Sequence, residues 1–283
     1  MPIDDQRKAS ILISYDGTSF YGWQRQTNGI TVQQSIEDVL ETLFQKKTTV
    51  HGAGRTDAGV HAAGQIAHFE VPRNFNLNKL SHSMNSMLRP EIRIINCAEV
   101  PPDFHARFSA ISKTYFYIIN TSKILSPFLR NFCCHTPDIG DLSRIEEALT
   151  LLIGEHNFER FTAADAVGES PVRKILSAKL IKAGDFIFIS FTADGFLRYL
   201  VRTLTGTLVK ISQKKISISD FEASLNGEMT KPLPCTLKME PYGLYLLKVN
   251  YDTNPFAGAD SQSSQKGQLW PFIKEIDLCR LSD

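Results

Sequence analysis

Residues 31–71 decide the fold of this chain, and they read TVQQSIEDVLETLFQKKTTVHGAGRTDAGVHAAGQIAHFEV. Thr31 and Gln34 form a capping-box pattern, and apolar residues follow at helical spacing as far as position 44, so a helix is predicted to begin at Thr31. Strands fit Thr48–Gly52 and Gln65–Val71, with a glycine-rich loop between them. This stretch therefore predicts a helix followed by two consecutive strands.

The segments on either side extend this order. A strand is predicted at Ile11–Tyr15, before the helix. A second helix fits Leu77–Leu88, and a further strand fits Ile92–Val100. Read together, the elements give the order β-α-β-β-α-β, which is the split βαβ arrangement.

The second half of the chain repeats this order with one additional helix. That half's first helix is predicted to begin near Ser143, which forms a capping-box pattern with Glu146, and to end at Gly154. The other predicted elements are strands at Thr114–Asn120, Ile175–Lys182, Phe186–Thr192 and Leu244–Tyr251, and helices at Phe196–Ser212 and Asp220–Leu225. The two middle strands are separated by three residues that include a glycine, so they are predicted to form a hairpin.

These patterns predict an α+β fold. We expect two split-βαβ (ferredoxin/RRM-like) domains that form an extended antiparallel sheet with helices on one face. Residues 1–107 are predicted to form an N-terminal α/β domain, residues 108–251 a C-terminal α/β domain, and residues 252–283 a tail that is partly of low complexity. Domains of this topology often bind RNA, but they also serve many unrelated tasks.

Composition narrows the possibilities less than the patterns do. The 283-residue chain has 31 basic and 30 acidic residues, so its net charge of +1 neither indicates nor excludes a nucleic-acid partner. Its five cysteines are odd in number and form no C-x-x-C motif, which favours free thiols in a reducing cytosol over disulfides or a zinc site. No apolar run has the length of a signal peptide or of a membrane span, so we expect a cytoplasmic protein without a membrane partner.

The densest group of chemically active side chains lies in GAGRTDAGVH, residues 52–61. Arg55, Asp57 and His61 share one glycine-flanked loop, and such a loop can bring a carboxylate and a guanidinium close to a ligand. The alternative is an ordinary hairpin connection in which Asp57 forms an Asx turn. The residues alone leave both interpretations open.

A longer comparison favours the functional interpretation. The segment GRTDAGVHA, residues 54–62, resembles the motif of the TruA family of tRNA pseudouridine synthases. Other segments resemble the same family in the same order, namely YDG (15–17), FYGWQRQ (20–26), DFHARFSA (103–110), KTYFY (113–117), GFLRYLVR (195–202) and GLYL (243–246). Residues 233–242 fit the family pattern poorly, and the tail beyond position 251 extends past the resemblance.

The resemblance implies an isomerase that converts uridine to pseudouridine at positions 38, 39 and 40 of the tRNA anticodon stem-loop. By resemblance, Asp57 is the nucleophile, Tyr115 is the active-site tyrosine that stacks on the base, and Arg202 is the basic partner that keeps Asp57 ionised. The base is expected to be flipped into a cleft between the domains. The family works as a homodimer without a cofactor or metal, so we expect the same here.

Further residues are candidates for substrate binding. Arg55 falls on the residue that helps to flip the target base and to fill its place. Lys113, Arg25 and Arg107 are candidates for contacts with RNA phosphates, and His61 is a candidate within the loop itself. Helical spacing places Arg202 away from the apolar stripe of its helix, which fits either a cleft-facing or a solvent-facing side chain.

Two other functions remain possible from the sequence. A non-catalytic RNA-binding protein fits the topology, but it has no use for a loop carboxylate that repels phosphate. A methyltransferase using S-adenosylmethionine is disfavoured because no G-x-G-x-x-G motif is present. The sequence leaves open which uridines are modified, whether Asp57 attacks C1′ or C6, which RNA contacts lie outside the cleft, and what the tail does.

Overall fold

The computed structural model describes residues 6–162, 170–228, 233 and 237–256. These residues form an α+β protein, as predicted. They divide into two compact units. The first contains residues 6–111 and 246–256, and the second contains the described residues between 112 and 245. Most of the predicted tail lies outside the described residues.

The first unit confirms the order β-α-β-β-α-β. Its elements are β1 (Gln6–Tyr15), α1 (Val32–Phe44), β2 (His51–Gly52), β3 (His61–Pro72), α2 (Leu77–Met87) and β4 (Ile92–Glu99). Strand β1 lies between β4 and β3 and is antiparallel to both, and β2 is antiparallel to β3. The last strand in the described part of the chain, β10 (Leu244–Tyr251), lies next to β3. The 53–60 loop that contains Asp57 therefore connects β2 to β3.

Helix α1 shows why the local pattern was informative. The Thr31 Oγ1 atom accepts a hydrogen bond from the Gln34 amide at 3.3 Å, so Thr31 is the N-cap that the pattern predicts. Val32 and Ile36 on the apolar face are fully buried. The helix ends where Gln45 adopts a left-handed conformation with φ of 53°.

The second unit also has a sheet with helices. Its elements are β5 (Ala110–Asn120), β6 (Cys134–His135), α3 (Leu142–Leu151), β7 (Gly154–Asn157), β8 (Val172–Ala183), β9 (Phe186–Ala193), α4 (Leu200–Ser212) and α5 (Ile218–Leu225). Neighbouring strands in the order β5-β9-β8-β7 are antiparallel, and the predicted β8–β9 hairpin is confirmed. Short 3-10 helices occur at Pro127–Leu129, Glu159–Phe161 and Pro241–Gly243.

Several details of the prediction for the second unit need correction. Strand β6 pairs in parallel with β5, so the strands are mixed rather than wholly antiparallel. Helix α3 is capped by Asp141, whose Oδ1 atom accepts from the Ser143 amide at 3.0 Å, and not by Ser143. The predicted start of α4 at Phe196 is wrong. Tyr199 has φ of 68°, a left-handed conformation that interrupts an α-helix, so α4 begins after it at Leu200. The strands β6 and β7 were not predicted.

The spatial division differs from the predicted domain limits in two respects, the first being that residues 108–111 group with the first unit. Residues 246–251 group with the first unit, because this part of β10 lies next to β3. Gly64 on β3 shows how close the two strands are, since a Cβ atom there would overlap the carbonyl group of Leu247. The functional limits at 107/108 and 251/252 stay a prediction.

Candidate active site

The loop that contains Asp57 is held by backbone hydrogen bonds from the segment after β1. The Trp23 amide donates to the Thr56 carbonyl at 3.0 Å, and the Gly59 amide donates to the Phe20 carbonyl at 3.3 Å. Gly22 has φ of 84°, and a Cβ atom at this position would lie 2.5 Å from the Thr56 carbonyl oxygen. Only glycine fits here, because it allows both the backbone angle and the close approach.

A buried side-chain contact fixes the residue before Asp57. The hydroxyl groups of Tyr15 and Thr56 lie 2.8 Å apart and are hydrogen-bonded. Both residues are buried, and burial raises the pKa of the Tyr15 hydroxyl, so this pair remains neutral. Thr56 is therefore fixed by its side chain as well as by its carbonyl group, and the position of the next residue is restricted accordingly.

Asp57 itself is half-buried. Its carbonyl group accepts a hydrogen bond from the Val60 amide at 3.1 Å, and Gly59 in this turn has φ of 79°. The turn is therefore closed by a backbone hydrogen bond. A half-buried carboxylate on a fixed backbone can be presented to a ligand without first being ordered.

Arg55 lies two residues earlier and is exposed. Its Nε atom donates to Oε1 of Gln24 at 3.0 Å. Gln24 directly follows Trp23, whose amide holds the loop, so this bond links the guanidinium group of Arg55 to the same segment. Gln24 was not singled out from the sequence.

His61 at the start of β3 is almost completely buried. Its Nδ1 atom accepts from the Gly17 amide at 3.0 Å and lies 3.2 Å from Oδ1 of Asp16. Burial raises the pKa of Asp16, but the neighbouring His61 ring and the hydrogen bonds donated by Thr18 outweigh this effect and lower the pKa to about 2. This position supports a structural role for His61, which ties β3 to the 16–18 turn.

The other two basic candidates of the first unit lie in different surroundings. Arg25 donates to Glu37 at 2.9 Å, and Asp38 is 3.8 Å away, so its charge is already paired with carboxylates of α1. Arg107 is exposed, and its guanidinium carbon lies 5.6 Å from the centre of the Phe108 ring. Neither contact brings these side chains to the Asp57 loop.

In the second unit, Tyr115 and Lys113 lie on β5. Tyr115 is buried, pairs with Phe191 of β9, and meets Phe196 edge-on with ring centroids 4.9 Å apart. Lys113 is half-buried opposite Ala193. Tyr115 is thus held by neighbouring rings, and the alternation along β5 brings Lys113 to the same face of the strand.

Arg202 in the first turn of α4 is buried, so the solvent-facing alternative is wrong. Its Nε atom donates to the Met239 carbonyl at 2.7 Å, and the Met239 amide donates back to the Arg202 carbonyl at 3.2 Å. The guanidinium carbon also lies 5.4 Å from the centre of the Tyr199 ring. These contacts orient Arg202 before any ligand arrives.

The predicted site residues fall into separate groups within the two units. Asp57, Arg55 and His61 are grouped in the first unit. In the second unit, Tyr115 contacts Phe196 and Arg202 contacts Tyr199. Sequence reasoning missed Tyr199, Gln24 and Asp16 as supporting residues. The left-handed backbone of Tyr199 leaves no signature in the residue type, whereas Asp16 lies in the YDG segment and could have been considered.

Two classes of site are absent from the described residues. No group of three or more His, Cys, Asp or Glu side chains there has the geometry to hold a metal ion. No helix in the described ranges is long and apolar enough to cross a membrane.

Comparison with known proteins defines the class. A family model described as tRNA pseudouridine synthase matches residues 11–109 and 148–252, and the chain therefore belongs to this family of isomerases. A relative from Listeria monocytogenes named tRNA pseudouridine synthase A is 41% identical over 244 residues, covering 85% of this chain and 98% of the relative. A second relative of that name, from Geobacter sp. (strain M21), is 36% identical over 245 residues, covering 87% and 99% respectively.

Proposed function

We propose that this chain converts uridine to pseudouridine in the tRNA anticodon stem-loop, at positions 38, 39 and 40, with Asp57 as the nucleophile. The observation that carries the proposal is the half-buried carboxylate of Asp57 on a loop held by backbone hydrogen bonds to Trp23 and Phe20, in a member of a uridine-isomerising family. A fixed carboxylate is suited to covalent catalysis because it can form an ester and later leave.

The proposed reaction involves only the uridine and the Asp57 carboxylate. In one route the Asp57 carboxylate attacks ribose C1′ and the C1′–N1 bond breaks; in the other it adds to uracil C6 first. In both, the C1′–N1 bond breaks, the uracil turns and a C1′–C5 bond forms. The bond between Asp57 and the substrate then breaks, which regenerates the carboxylate, and the proton at C5 is released while N1 gains one. Reactant and product are isomers, so no net oxidant, reductant or group donor is consumed.

The other residues serve binding and orientation in this proposal. Arg55, exposed within the loop, compensates for extracting the base from its stack, which costs a few kcal/mol. Tyr115 stacks on the base, which is worth roughly 1–3 kcal/mol. Arg202 keeps Asp57 ionised through a charge-assisted pair. This pairing, and base binding between domains, stay predictions.

The remaining candidates have different support. Lys113 and Arg107 are proposed to contact phosphates. Arg25 can do so only if the RNA competes with Glu37 for its guanidinium group. His61 is proposed to act on substrate only indirectly, through the position of the loop that precedes it. We further propose that the enzyme acts in the cytoplasm as a homodimer, with one tRNA contacting both subunits.

The proposal is tested by tritium release from unmodified tRNA labelled at uracil C5, in metal-free buffer. The native protein should release tritium, and Asp57→Asn, which is nearly isosteric, should lower the rate on the order of 10³-fold or more. The matched control is Asp185→Asn, the same change at the exposed β8–β9 turn, and it should retain native activity.

Each alternative result has a distinct meaning. Equal release by the native and Asp57→Asn proteins contradicts the role of Asp57. No release by the native protein, with tRNA binding retained, favours a non-catalytic RNA-binding protein or a synthase for another RNA.

A further inference from the structure

Tyr199 has an unusual backbone conformation directly before α4. Its φ and ψ are 68° and −3°, in the left-handed region that side chains larger than Asn rarely adopt. Such a conformation persists only where surrounding contacts favour it, and these positions are concentrated at functional sites. The contacts of the Tyr199 ring are therefore informative.

Three cations surround this ring. The Lys238 Nζ atom lies 4.0 Å from the ring centre, the Arg198 guanidinium carbon 4.7 Å, and the Arg202 guanidinium carbon 5.4 Å. Arg198 also donates to the Tyr199 hydroxyl at 2.9 Å. We call these four residues the Tyr199 cluster. A ring has two faces, so at least two of the three cations share a face and repel each other.

The segment that carries Lys238 is fastened to α4. Met239 exchanges two hydrogen bonds with Arg202, and Leu237 lies so close to Gly206 that no Cβ atom fits there. Lys238 between them is exposed, as is Arg198, whereas Arg202 is buried. The backbone contacts thus hold two exposed cations on one aromatic ring, at a fixed distance from Arg202.

We propose that the Tyr199 cluster binds a phosphate group of the substrate RNA, with Arg198 and Lys238 as its ligands and Tyr199 as a positioning residue for Arg202. Arg198 supplies several donors in a planar fork and Lys238 a point charge, which together suit a phosphate oxygen set. A phosphate bound between Arg198 and Lys238 would interact favourably with both positive charges. This inference rests on the proposed function, because it assigns part of the RNA to the second unit.

The first test is the salt dependence of binding to an unmodified tRNA transcript. Lys238→Ala should make the plot of log affinity against log salt concentration less steep by about 0.7–0.9, as expected for one lost phosphate contact. The control is Lys215→Ala, which removes the same exposed charge beyond the C-terminal end of α4, roughly 20 Å away. It should leave the slope closer to native, and equal slopes for both variants overturn the proposal.

The second test separates the contribution of the Tyr199 ring from that of the Tyr199 backbone conformation. Tyr199→Asn removes the ring but tolerates the left-handed conformation, so the thermal midpoint should stay near native while tRNA affinity and kcat fall. Tyr199→Phe keeps the ring and loses only the hydroxyl bond with Arg198, so it should retain more kcat than Tyr199→Asn. Unchanged affinity and kcat in Tyr199→Asn overturn the role of the ring.

The outcomes are distinguishable from failure of the proposed function. If the native protein releases no tritium, the function proposed above fails, whatever the cluster binds. If native release is normal but Lys238→Ala matches Lys215→Ala in slope and affinity, only the phosphate site is wrong.

Discussion

Gly206→Ala tests the attachment of the 237–239 segment to α4. An alanine Cβ atom at this position would overlap the Leu237 carbonyl oxygen and lie 2.8 Å from its carbon. Neighbouring backbone must therefore retreat by more than an ångström to reach the 3.0 Å that real Cβ contacts keep. The 2.7 Å bond from Arg202 to the Met239 carbonyl, two residues further on, would then stretch beyond hydrogen-bonding distance.

The size of the effect follows from opposing contributions. Replacing a glycine inside a helix by alanine stabilises by about 1 kcal/mol through helix propensity alone. Overpacking against a fixed backbone costs about 1–3 kcal/mol, and loss of a hydrogen bond to a charged group costs about 1.5–3 kcal/mol. Together these contributions give a loss of about 1.5–5 kcal/mol, and from the middle of that range we expect Gly206→Ala to lower the free energy of unfolding by about 2–4 kcal/mol.

Chemical denaturation of the native and variant proteins measures this difference. Thermal unfolding should show a fall of roughly 4–15 °C in the midpoint, at about 2–4 °C for each kcal/mol. Gly195→Ala is the matched control, because its Cβ atom would meet only the movable Arg173 side chain at 3.3 Å, and it should change stability by less than about 0.5 kcal/mol. A Gly206→Ala protein as stable as the native one refutes the reasoning.

Two further measurements address pH and assembly. Burial first, and then His105, His51 and Lys8, lower the pKa of His68 from 6.5 to about 4, so its stabilising contribution is present above pH 6.5 and is lost as the pH falls towards 4. Between pH 7 and 5 the native protein should lose about 1–2 kcal/mol of stability for this reason. The His68→Asn variant, whose Oδ1 atom can still accept from the Ala106 amide, should lack that part of the loss in urea denaturation. The same pH dependence of stability in both proteins would contradict the prediction. Light scattering should give the mass of a dimer, and a stable monomer that still modifies tRNA would contradict the homodimer.

The fold was predictable where local chemistry and tertiary packing agree. Helix α1 has both a side-chain cap at Thr31 and a continuous apolar face, so its start was correct within one residue. Helix α4 has an apolar face that continues backwards through Phe196, and periodicity extended it too far. The backbone of Tyr199 depends on contacts with residues such as Lys238, thirty-nine positions away in sequence, and local patterns do not contain that information.

The sequence predicted which residues belong to the candidate site better than it predicted the contacts of those residues. The glycine-rich loop marked Asp57 because glycines at positions such as 59 permit a backbone that other residues avoid. Charge alone suggested that Arg25 was available for RNA, but Glu37 of α1 pairs with it in space. Likewise His61 appears in the motif beside Asp57, yet its ring is buried against Gly17.

The residues proposed for chemistry and those that hold them in place should respond differently to substitution. Asp57 and Lys238 are half-buried or exposed, so replacing them should affect activity or binding with little change in stability. Gly22 and Gly206 lie against backbone carbonyl groups, so a larger side chain there must affect folding as well. Loss of activity therefore assigns a role only when stability is measured on the same variant, because an inactive Gly22→Ala protein would say nothing about whether Asp57 attacks the base.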